Sequence, residues 1–241
     1  MGASSGIGKA VATNFIESGY DVGIAARRES ELIKFIEKYP DKKIEYETID
    51  VTASNAQDNL KSLIAKLGGL DIYLHVSGIG KQNLNLNATI EYDTCMTNVV
   101  GFTSMIDFVY NYFSSNNIHG HIAIVSSIAG TKGLGVAPAY SATKRFQNSY
   151  IECLQQLSSI NKTKITFTDL RPGFVATPLL NDNNKYPLMM NSDYVAKKIF
   201  NAIIQKKQIK VIDWKYRILV YFWKLIPHWL WIKLPIRTKT K

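Results

Sequence analysis

The chain has 241 residues, of which 46% are hydrophobic and 20% charged. That length suits one globular domain, or at most two small ones, and the composition excludes a disordered chain. The two cysteines, Cys95 and Cys153, exclude a disulfide scaffold and a four-cysteine zinc site, and we expect no metal. They also suit a reducing compartment, so we expect a cytoplasmic protein.

The net charge of +10 is concentrated at the C-terminus. Residues 205–241 contain ten Lys or Arg and one acid, Asp213, which leaves 19 basic and 18 acidic residues in the first 204 positions. All four tryptophans lie in the same stretch. The chain is therefore expected to be a nearly neutral body, residues 1–212, with a basic and aromatic tail, residues 213–241.

Short apolar, β-branched runs alternate with longer helical patterns along the body. Alternation of this kind predicts an α/β fold, a doubly wound parallel sheet with helices on both faces. The predicted strands are 21–25, 44–48, 72–76, 121–125, 165–170 and 208–212. The predicted helices are 8–18, 29–38, 56–67, 98–114, 139–158 and 193–205.

Three glycines precede the first predicted helix in the spacing G-x-x-x-G-x-G. Glycines at such a turn let the backbone approach a pyrophosphate, whose charge then lies at a helix N-terminus. A glycine loop alone is a weak signal, and a flexible N-terminus is the alternative interpretation. The predicted cofactor loop comprises Gly2, Ser4, Ser5, Gly6, Ile7 and Gly8.

The residues after the strand at 21–25 bear on the choice of cofactor. Dinucleotide-binding folds usually have an acid there for the ribose 2′-hydroxyl, whereas this chain has Arg27 and Arg28. Two guanidinium groups favour a 2′-phosphate, hence NADP(H) over NAD(H), unless both are solvated surface charges. Asp50, followed by Val51, is a candidate for the adenine amino group, or alternatively a turn residue at a helix N-terminus.

Tyr140 and Lys144 stand four residues apart and therefore share one face of the predicted helix at 139–158. Ser127 comes thirteen residues before Tyr140, at the end of an apolar strand. Ligands of doubly wound sheets bind at the carboxyl ends of strands. The Tyr–Lys pair alone says little, but together with the glycine loop and the serine it is specific.

With these motifs the sequence resembles the short-chain dehydrogenase/reductase family over roughly residues 1–212. The resemblance implies a Rossmann fold, a nicotinamide cofactor and a Pro-Gly loop whose Val and Thr contact the carboxamide. It assigns the catalytic positions to Asn98, Ser127, Tyr140 and Lys144, and the nicotinamide loop to Pro172, Gly173, Val175 and Thr177.

The implied chemistry requires a proton donor and a hydrogen-bond clamp, because a carbonyl that accepts hydride develops negative charge on oxygen. Tyr140 would donate the proton and Ser127 would hold the oxygen. The Lys144 ammonium would bind the ribose and, with the oxidised nicotinamide, lower the phenol pKa from its usual value of about 10. By the same resemblance Asn98 holds a water that links Lys144 to solvent. The alternatives are that Asn98 caps a helix and that Ser126 faces the pocket.

Two departures from the family pattern stand out. His75-Val76-Ser77-Gly78 replaces the usual Asn-Asn-Ala-Gly on the adenosine side. This concerns the packing of the sheet more than the chemistry, so Gly78 stays a cofactor residue and His75 is expected to pack in its strand. Met1 also stands where the family has a Thr after a central strand. Losing the buried apolar side chains of that strand would remove on the order of 10 kcal/mol of folding free energy. We therefore expect the natural chain to begin roughly 5–10 residues upstream.

Two segments bear on substrate and partners. The family's variable lid corresponds to 178–190, whose Leu and Met residues suit an apolar substrate or pack on the core. The tail is too interrupted to span a membrane, but Trp interleaved with Lys and Arg is typical of a segment in a membrane interface. The alternative is packing on the body, or on a second subunit of a homodimer, as a cover over the substrate site. Nucleic acid is not expected, because the body lacks a matching positive charge.

The sequence thus predicts an NADP(H)-dependent carbonyl reductase or alcohol dehydrogenase, peripheral on a membrane, acting on a hydrophobic, lipid-like ketone. The competing hypothesis is a non-catalytic NADPH-binding or scaffold protein of the same fold.

Overall fold

The computed structural model describes residues 1–180, 184–236 and 239–240. The helices are α1 (Gly6–Glu17), α2 (Glu29–Ile36), α3 (Ala56–Leu67), α4 (Ala88–Cys95), α5 (Phe102–Ser115), α6 (Pro138–Ile160), α7 (Ser192–Ile204), α8 (Trp214–Leu225) and α9 (His228–Trp231). The strands are β1 (Val22–Ala26), β2 (Ile44–Thr48), β3 (Ile72–His75), β4 (His121–Val125), β5 (Thr166–Arg171), β6 (Asn184–Lys185), β7 (Ile209–Val211) and β8 (Lys239–Thr240). A π-helical turn, Met96–Gly101, joins α4 to α5.

The parallel strands lie in two sets joined by the first residues of the chain. β1 pairs with β2, and β3, β4, β5 and β7 pair in that order. The amides of Gly2 and Ala3 donate to the Ala25 carbonyl at 2.7 and 3.1 Å, and Val76 N–H donates to the Met1 carbonyl at 3.0 Å. The backbone at Met1–Ala3 therefore occupies the place between β1 and β3 where the family's central strand was expected. The predicted α/β Rossmann-like fold is confirmed.

Helices cover both faces of the sheet because side chains alternate along each strand. In β4, Ile122 and Ile124 pack in a core cluster with α3, α5 and α6. Their neighbours Ala123 and Val125 pack on the other side in a cluster with α1, α7 and α8. This parallel packing brings the carboxyl ends of β1 to β5 to one edge of the sheet, where the loops that follow them meet.

The six predicted strands and six predicted helices all occur, with ends shifted by a few residues. The expected helix at 98–114 extends further back, because α4 and the π-helical turn precede α5 without a break. A π-helical turn inside a helix frequently marks a functional site. No helix was predicted in the tail, whereas the structure has α8 and α9 there.

The described part of the tail packs on the body. Tyr216 and Val220 of α8 are buried in the cluster formed by α1 and α7. The indole N–H of Trp231 donates to the Gly133 carbonyl at 2.7 Å. Residues on both sides of the expected division at residue 212 therefore share one core. No helix within the described ranges is long and apolar enough to cross a membrane.

Candidate active site

A cavity of about 1050 Å³ lies at the carboxyl ends of the strands. Loops from six places in the sequence line it: the turn before α1 and the segments after β1, β2, β3, β4 and β5. Every site residue expected from the sequence lines this cavity except Asn98, which lies just behind its wall. The cavity is of the size and position expected for a cofactor together with a substrate.

The glycine loop is too tightly packed for larger residues. A Cβ on Gly8 would lie 2.1 Å from the Gly2 carbonyl oxygen, and Gly2 itself has a φ of +90°. Gly6 has a φ of +54° and lies against the side chain of Thr177. Because α1 begins at Gly6, its positive end faces the cavity. This cradle fits a pyrophosphate, whose oxygens the backbone amides can approach.

Two arginines stand beside the loop, as expected. The guanidinium of Arg28 donates to the hydroxyls of Ser4 and Ser5 at 3.0 and 2.8 Å. Arg27 lies 4.0 Å from the Asp50 carboxylate. The other oxygen of that carboxylate accepts from the Thr52 amide and hydroxyl, so Asp50 also closes its own turn. Positive charge therefore gathers beside the glycine loop.

Tyr140, Lys144 and Ser127 meet at one wall of the cavity. The Lys144 ammonium lies 5.8 Å from the centroid of the Tyr140 ring. It donates to the Val125 carbonyl at 3.1 Å and to the Gln147 side-chain oxygen at 2.9 Å. Ser127 lies near enough to the Tyr140 hydroxyl to affect its pKa, and its own hydroxyl donates to the Pro172 carbonyl at 3.4 Å. The three side chains thus lie together at this wall.

Burial governs the protonation of this group. It lowers the pKa of Lys144 to about 8, against an opposing effect of the Asp169 carboxylate. Burial also raises the pKa of Tyr140, and the hydrogen bond from Ser127 only partly offsets this. In the cofactor-free protein the phenol therefore stays protonated at neutral pH. The lowered pKa expected above involves the charge of an oxidised nicotinamide and stays a prediction.

The choice between the two neighbouring serines follows from their partners. The hydroxyl of Ser126 donates to the buried Asp169 and accepts from the Asn148 amide at 2.7 Å. Ser127 contacts Tyr140 and accepts from the amide of Ala129 at 3.1 Å. Both serines line the cavity, but the Ser126 hydroxyl is engaged by Asp169 and Asn148, whereas Ser127 lies beside Tyr140.

Asn98 lies in the π-helical turn and is fully buried. Its side chain accepts from the Ile79 amide at 2.9 Å and donates to the Ile79 carbonyl at 2.7 Å and the Thr143 hydroxyl at 3.1 Å. Its own carbonyl accepts from the Gln147 side-chain amide at 2.9 Å. The Gln147 side chain thus contacts both Asn98 and Lys144. The water that the resemblance implies, held by Asn98 and linking Lys144 to solvent, stays a prediction.

Gln147 was not predicted, although its spacing pointed to it. Tyr140, Lys144 and Gln147 stand at i, i+4 and i+7 and therefore share one face of α6. Gly80 was also missed, and nothing in the sequence marks it: a Cβ there would lie 2.2 Å from the Tyr140 ring. Gly78 lies close to Lys144: a Cβ on Gly78 would be 3.5 Å from the Lys144 ammonium.

His75 is buried in β3, as expected, with Nδ1 3.0 Å from the Tyr73 hydroxyl. Burial lowers its pKa to about 3, so the ring is neutral at physiological pH. It lies among side chains of the core, such as Phe102, and not among the lining residues of the cavity.

The predicted nicotinamide loop is fastened from two sides. Met190 N–H donates to the Phe174 carbonyl at 2.9 Å, which ties the loop to the end of the lid. The buried Tyr216 of α8 lies against Gly173, where a Cβ would come within 2.2 Å of its ring. Its hydroxyl accepts from the Phe174 amide at 3.1 Å and donates toward the Leu188 carbonyl at 3.0 Å. This contact of the tail with the loop was not predicted.

The lid contributes to the cavity and to the core alike. Leu179, Leu180 and Tyr186 line the cavity, whereas Met190 is buried beside Val175. Residues 181–183 of the lid lie outside the described residues. Trp223 of α8 also lines the cavity, so the described tail reaches the expected substrate end.

Comparison with known proteins identifies the family. The family model described as short chain dehydrogenase matches residues 1–187. An uncharacterized oxidoreductase of Mycobacterium tuberculosis is 29% identical, over 99% of this chain and 94% of that protein. Among solved structures, a short-chain dehydrogenase/reductase of Burkholderia phymatum in complex with NAD has a TM-score of 0.81 at 18% identity, covering 91% of this chain and 89% of that one. An alcohol dehydrogenase of Thermococcus sibiricus complexed with 5-hydroxy-NADP has a TM-score of 0.75 at 19% identity, covering 88% and 93%.

The chain belongs to the short-chain dehydrogenase/reductase family. It is therefore an oxidoreductase that uses a nicotinamide cofactor.

Proposed function

We propose that the protein transfers hydride between NADP(H) and the carbonyl or secondary alcohol group of a hydrophobic, lipid-like substrate. The observation that carries the proposal is the meeting of Tyr140, Ser127 and Lys144 at one wall of a cavity that also holds a glycine cradle. A proton donor, a hydrogen-bonding hydroxyl and a cation at one point are what a carbonyl reduction requires.

The residues present fit the cofactor. Gly2, Gly6 and Gly8 would hold the pyrophosphate, and Arg28 with Arg27 would hold a 2′-phosphate, which favours NADP(H) over NAD(H). When bound, the nicotinamide supplies hydride to the carbonyl carbon or accepts it from the alcohol carbon. The remaining cofactor contacts are assigned to Ile7, Asp50, Val51, Gly78, Pro172, Gly173, Val175 and Thr177, all of which line the cavity.

The chain's own groups handle the proton. Tyr140 gives its phenolic proton to the substrate oxygen during reduction and takes it back during oxidation. Ser127, which lies beside that phenol, holds the same oxygen. Lys144 is fixed by Val125 and Gln147, so its charge stands near the ring and stabilises the phenolate; the cofactor ribose is assigned to it as well. Asn98 supports this arrangement through Gln147.

An apolar substrate is favoured by the walls beyond Tyr140. Large hydrophobic side chains predominate there, from the lid, from the loop before α6 and from α8. A loose apolar lining of this kind suits a lipid-like ketone, and a membrane surface is the source we assign to it. The residues are Leu134, Val136, Leu179, Leu180 and Trp223.

The test is the substitution Tyr140→Phe, which removes the transferable proton and keeps the ring. We expect NADPH oxidation against a panel of apolar ketones to fall by at least about 10³-fold, with NADPH binding retained. Tyr92→Phe, on the exposed surface of α4, is the matched control and should keep full activity. Full activity of Tyr140→Phe would contradict the mechanism.

The same assay addresses the competing hypothesis of a non-catalytic NADPH-binding or scaffold protein. If the wild-type protein binds NADPH but oxidises it with no ketone or aldehyde of the panel, that hypothesis replaces ours. What speaks for an enzyme is that Ser127, Tyr140 and Lys144 are all present and in contact.

A further inference from the structure

The helix α8 has two apolar faces, and only one of them is covered. Tyr216, Val220 and Trp223 face the body. On the opposite side, apolar residues recur at i, i+4, i+7, i+8 and i+11 and form one exposed stripe. The stripe consists of Trp214 (57% exposed), Ile218 (49%), Tyr221 (62%), Phe222 (57%) and Leu225 (61%).

Two further apolar side chains beyond α8 are exposed. Trp229 and Ile232 are 63% and 65% exposed, and Lys233 stands 5.8 Å over the Trp229 ring. We call the stripe together with Trp229 and Ile232 the outer face. Large apolar side chains exposed in such number on one segment mark an interaction site.

Cations border the outer face on both sides. On the helical wheel Lys215 flanks the stripe at one edge, and Arg217 and Lys224 flank it at the other; all three side chains are exposed. Residues 214–241 contain no Asp or Glu. Apolar residues with flanking Lys and Arg are the pattern of a helix that lies in a membrane interface, where the long side chains reach the headgroups.

A basic groove of about 880 Å³ adjoins this face. Its lining includes the basic residues Lys132, Arg145, Lys224 and His228. Two lining residues connect it to the outer face: Lys224, which borders that face, and Ile232, which is part of it. Its wall residue Val136 also lines the catalytic cavity. The groove thus places positive charge between the outer face and the substrate end of the site.

We infer that the outer face docks on a membrane whose lipids carry anionic headgroups, with the groove beside it facing those headgroups. Charge complementarity favours this occupant over a second copy of the chain. In a two-fold contact each stripe would meet itself and bring the cations along its edges close to those of the copy, and residues 214–241 contain no acid to compensate. Anionic lipids supply the missing negative charge.

Docking would also bring the substrate end of the cavity to the bilayer, since Trp223 lies on the inner side of the same helix. This part rests on the proposed function, whereas docking itself does not. A lipid-like ketone could then pass from the bilayer into the cavity without crossing bulk water.

The first experiment is sedimentation of the full chain with vesicles of phosphatidylcholine alone, or with about one third phosphatidylserine. We expect binding to the mixed vesicles that weakens as salt rises. Phe222→Ser with Leu225→Ser should weaken it by about tenfold or more, because both side chains would insert in the bilayer. Leu157→Ser with Ile160→Ser, two exposed residues at the end of α6, is the matched control and should bind like wild type.

Charge is tested separately. Lys215→Glu with Arg217→Glu should weaken binding by about tenfold or more at low salt, whereas Lys38→Glu with Lys61→Glu should change it much less. Failure of the wild type to bind mixed vesicles would overturn the inference. So would a wild-type dimer, measured by light scattering, that Phe222→Ser with Leu225→Ser turns into a monomer while vesicle binding stays unchanged.

Turnover separates docking from the proposed function. With a water-soluble ketone and no vesicles, Phe222→Ser with Leu225→Ser should match the wild type, because neither residue lines the cavity. With a long-chain ketone dissolved in mixed vesicles its rate should fall in parallel with binding. An unchanged rate would overturn delivery from the bilayer. If no ketone is turned over by any form, the proposed function fails while the sedimentation result still decides docking.

Discussion

Arg28 links the glycine loop to the choice between phosphorylated and unphosphorylated cofactors. Its guanidinium holds Ser4 and Ser5, so it already stands at the loop that would receive the nucleotide. Charge-assisted hydrogen bonds contribute about 1.5–3 kcal/mol, so Arg28→Ala should raise the KM for NADPH by about tenfold or more and leave that for NADH within about twofold. Arg28→Lys keeps the charge but loses the planar guanidinium that can donate two parallel hydrogen bonds, so its KM for NADPH should lie between those of wild type and Arg28→Ala. Equal changes for both cofactors would contradict this assignment.

Lys144 should leave a pH signature in the stability of the cofactor-free protein. Its pKa is about 8 when folded, against an ordinary 10.5. Between these two pH values the unfolded chain binds more protons than the folded chain, so the free energy of unfolding should rise with pH. Below pH 8 the destabilisation caused by burying Lys144 is fully present. The shift corresponds to a change on the order of 3 kcal/mol.

Urea unfolding of wild type and Lys144→Met, at several values of pH between the two pKa values, checks this. The variant loses hydrogen bonds at every pH, so only the pH-dependent part of the difference counts. We expect the wild type to gain stability relative to the variant as pH rises. A difference that does not change with pH would contradict the lowered pKa.

For single residues, the sequence predicted which side chains lie together where they belong to one helix or one loop, because their spacing then decides the distance between them. Tyr140 and Lys144 were predictable from their i, i+4 spacing, and Gln147 lies on the same face. Gly80 was not predictable, because its contact with Tyr140 joins segments sixty residues apart. The raised pKa of Tyr140 in the cofactor-free protein was not predictable either, because burial is a property of the packed cavity. The lowering expected with an oxidised nicotinamide stays a prediction.

Among the elements, α8 was missed because both of its faces are apolar, which hides the helical period that one-sided amphipathic helices show. The body elements were predictable, because each has a single buried face or a fully buried β-branched run. The contact of α8 with the nicotinamide loop needs the folded chain, since Tyr216 and Gly173 are distant in sequence.

Tyr216 makes α8 a support of the active site. Tyr216→Phe removes the hydroxyl that the Phe174 amide donates to and that the Leu188 carbonyl accepts from. Leaving buried polar groups unpaired costs about 1–3 kcal/mol, and a looser loop should lower kcat/KM for a water-soluble ketone by about tenfold. Tyr221→Phe, on the exposed side of the same helix, should change neither the free energy of unfolding nor kcat/KM. If Tyr216→Phe lowers stability but leaves kcat/KM unchanged, the support is structural only.

In the molecule as a whole, the tail serves the core on its inner side and presents apolar and basic groups on its outer side. The uneven charge distribution was visible in the sequence, and so was the competition between a membrane-facing and a body-facing tail. The body-facing interpretation describes the inner side of α8, and the membrane-facing one, which stays a proposal, concerns the outer side. A linear pattern could not separate the two sides. The structure assigns Tyr216, Val220 and Trp231 to the body side.

Removal of the tail should therefore unfold or strongly destabilise the body. Tyr216, Val220 and Trp231 are almost fully buried, and burial of such side chains contributes about 1.5–3 kcal/mol each. Their joint loss, roughly 5–9 kcal/mol, is comparable to the total stability of a domain, about 5–15 kcal/mol. Thermal unfolding followed by circular dichroism should show residues 1–212 melting far below the full chain or not folding, whereas residues 1–236 keep all three side chains and should melt close to it. A cooperative transition of residues 1–212 within a few degrees of the full chain would instead establish the body as an independent folding unit, and the tail as an appendage with no share in the core.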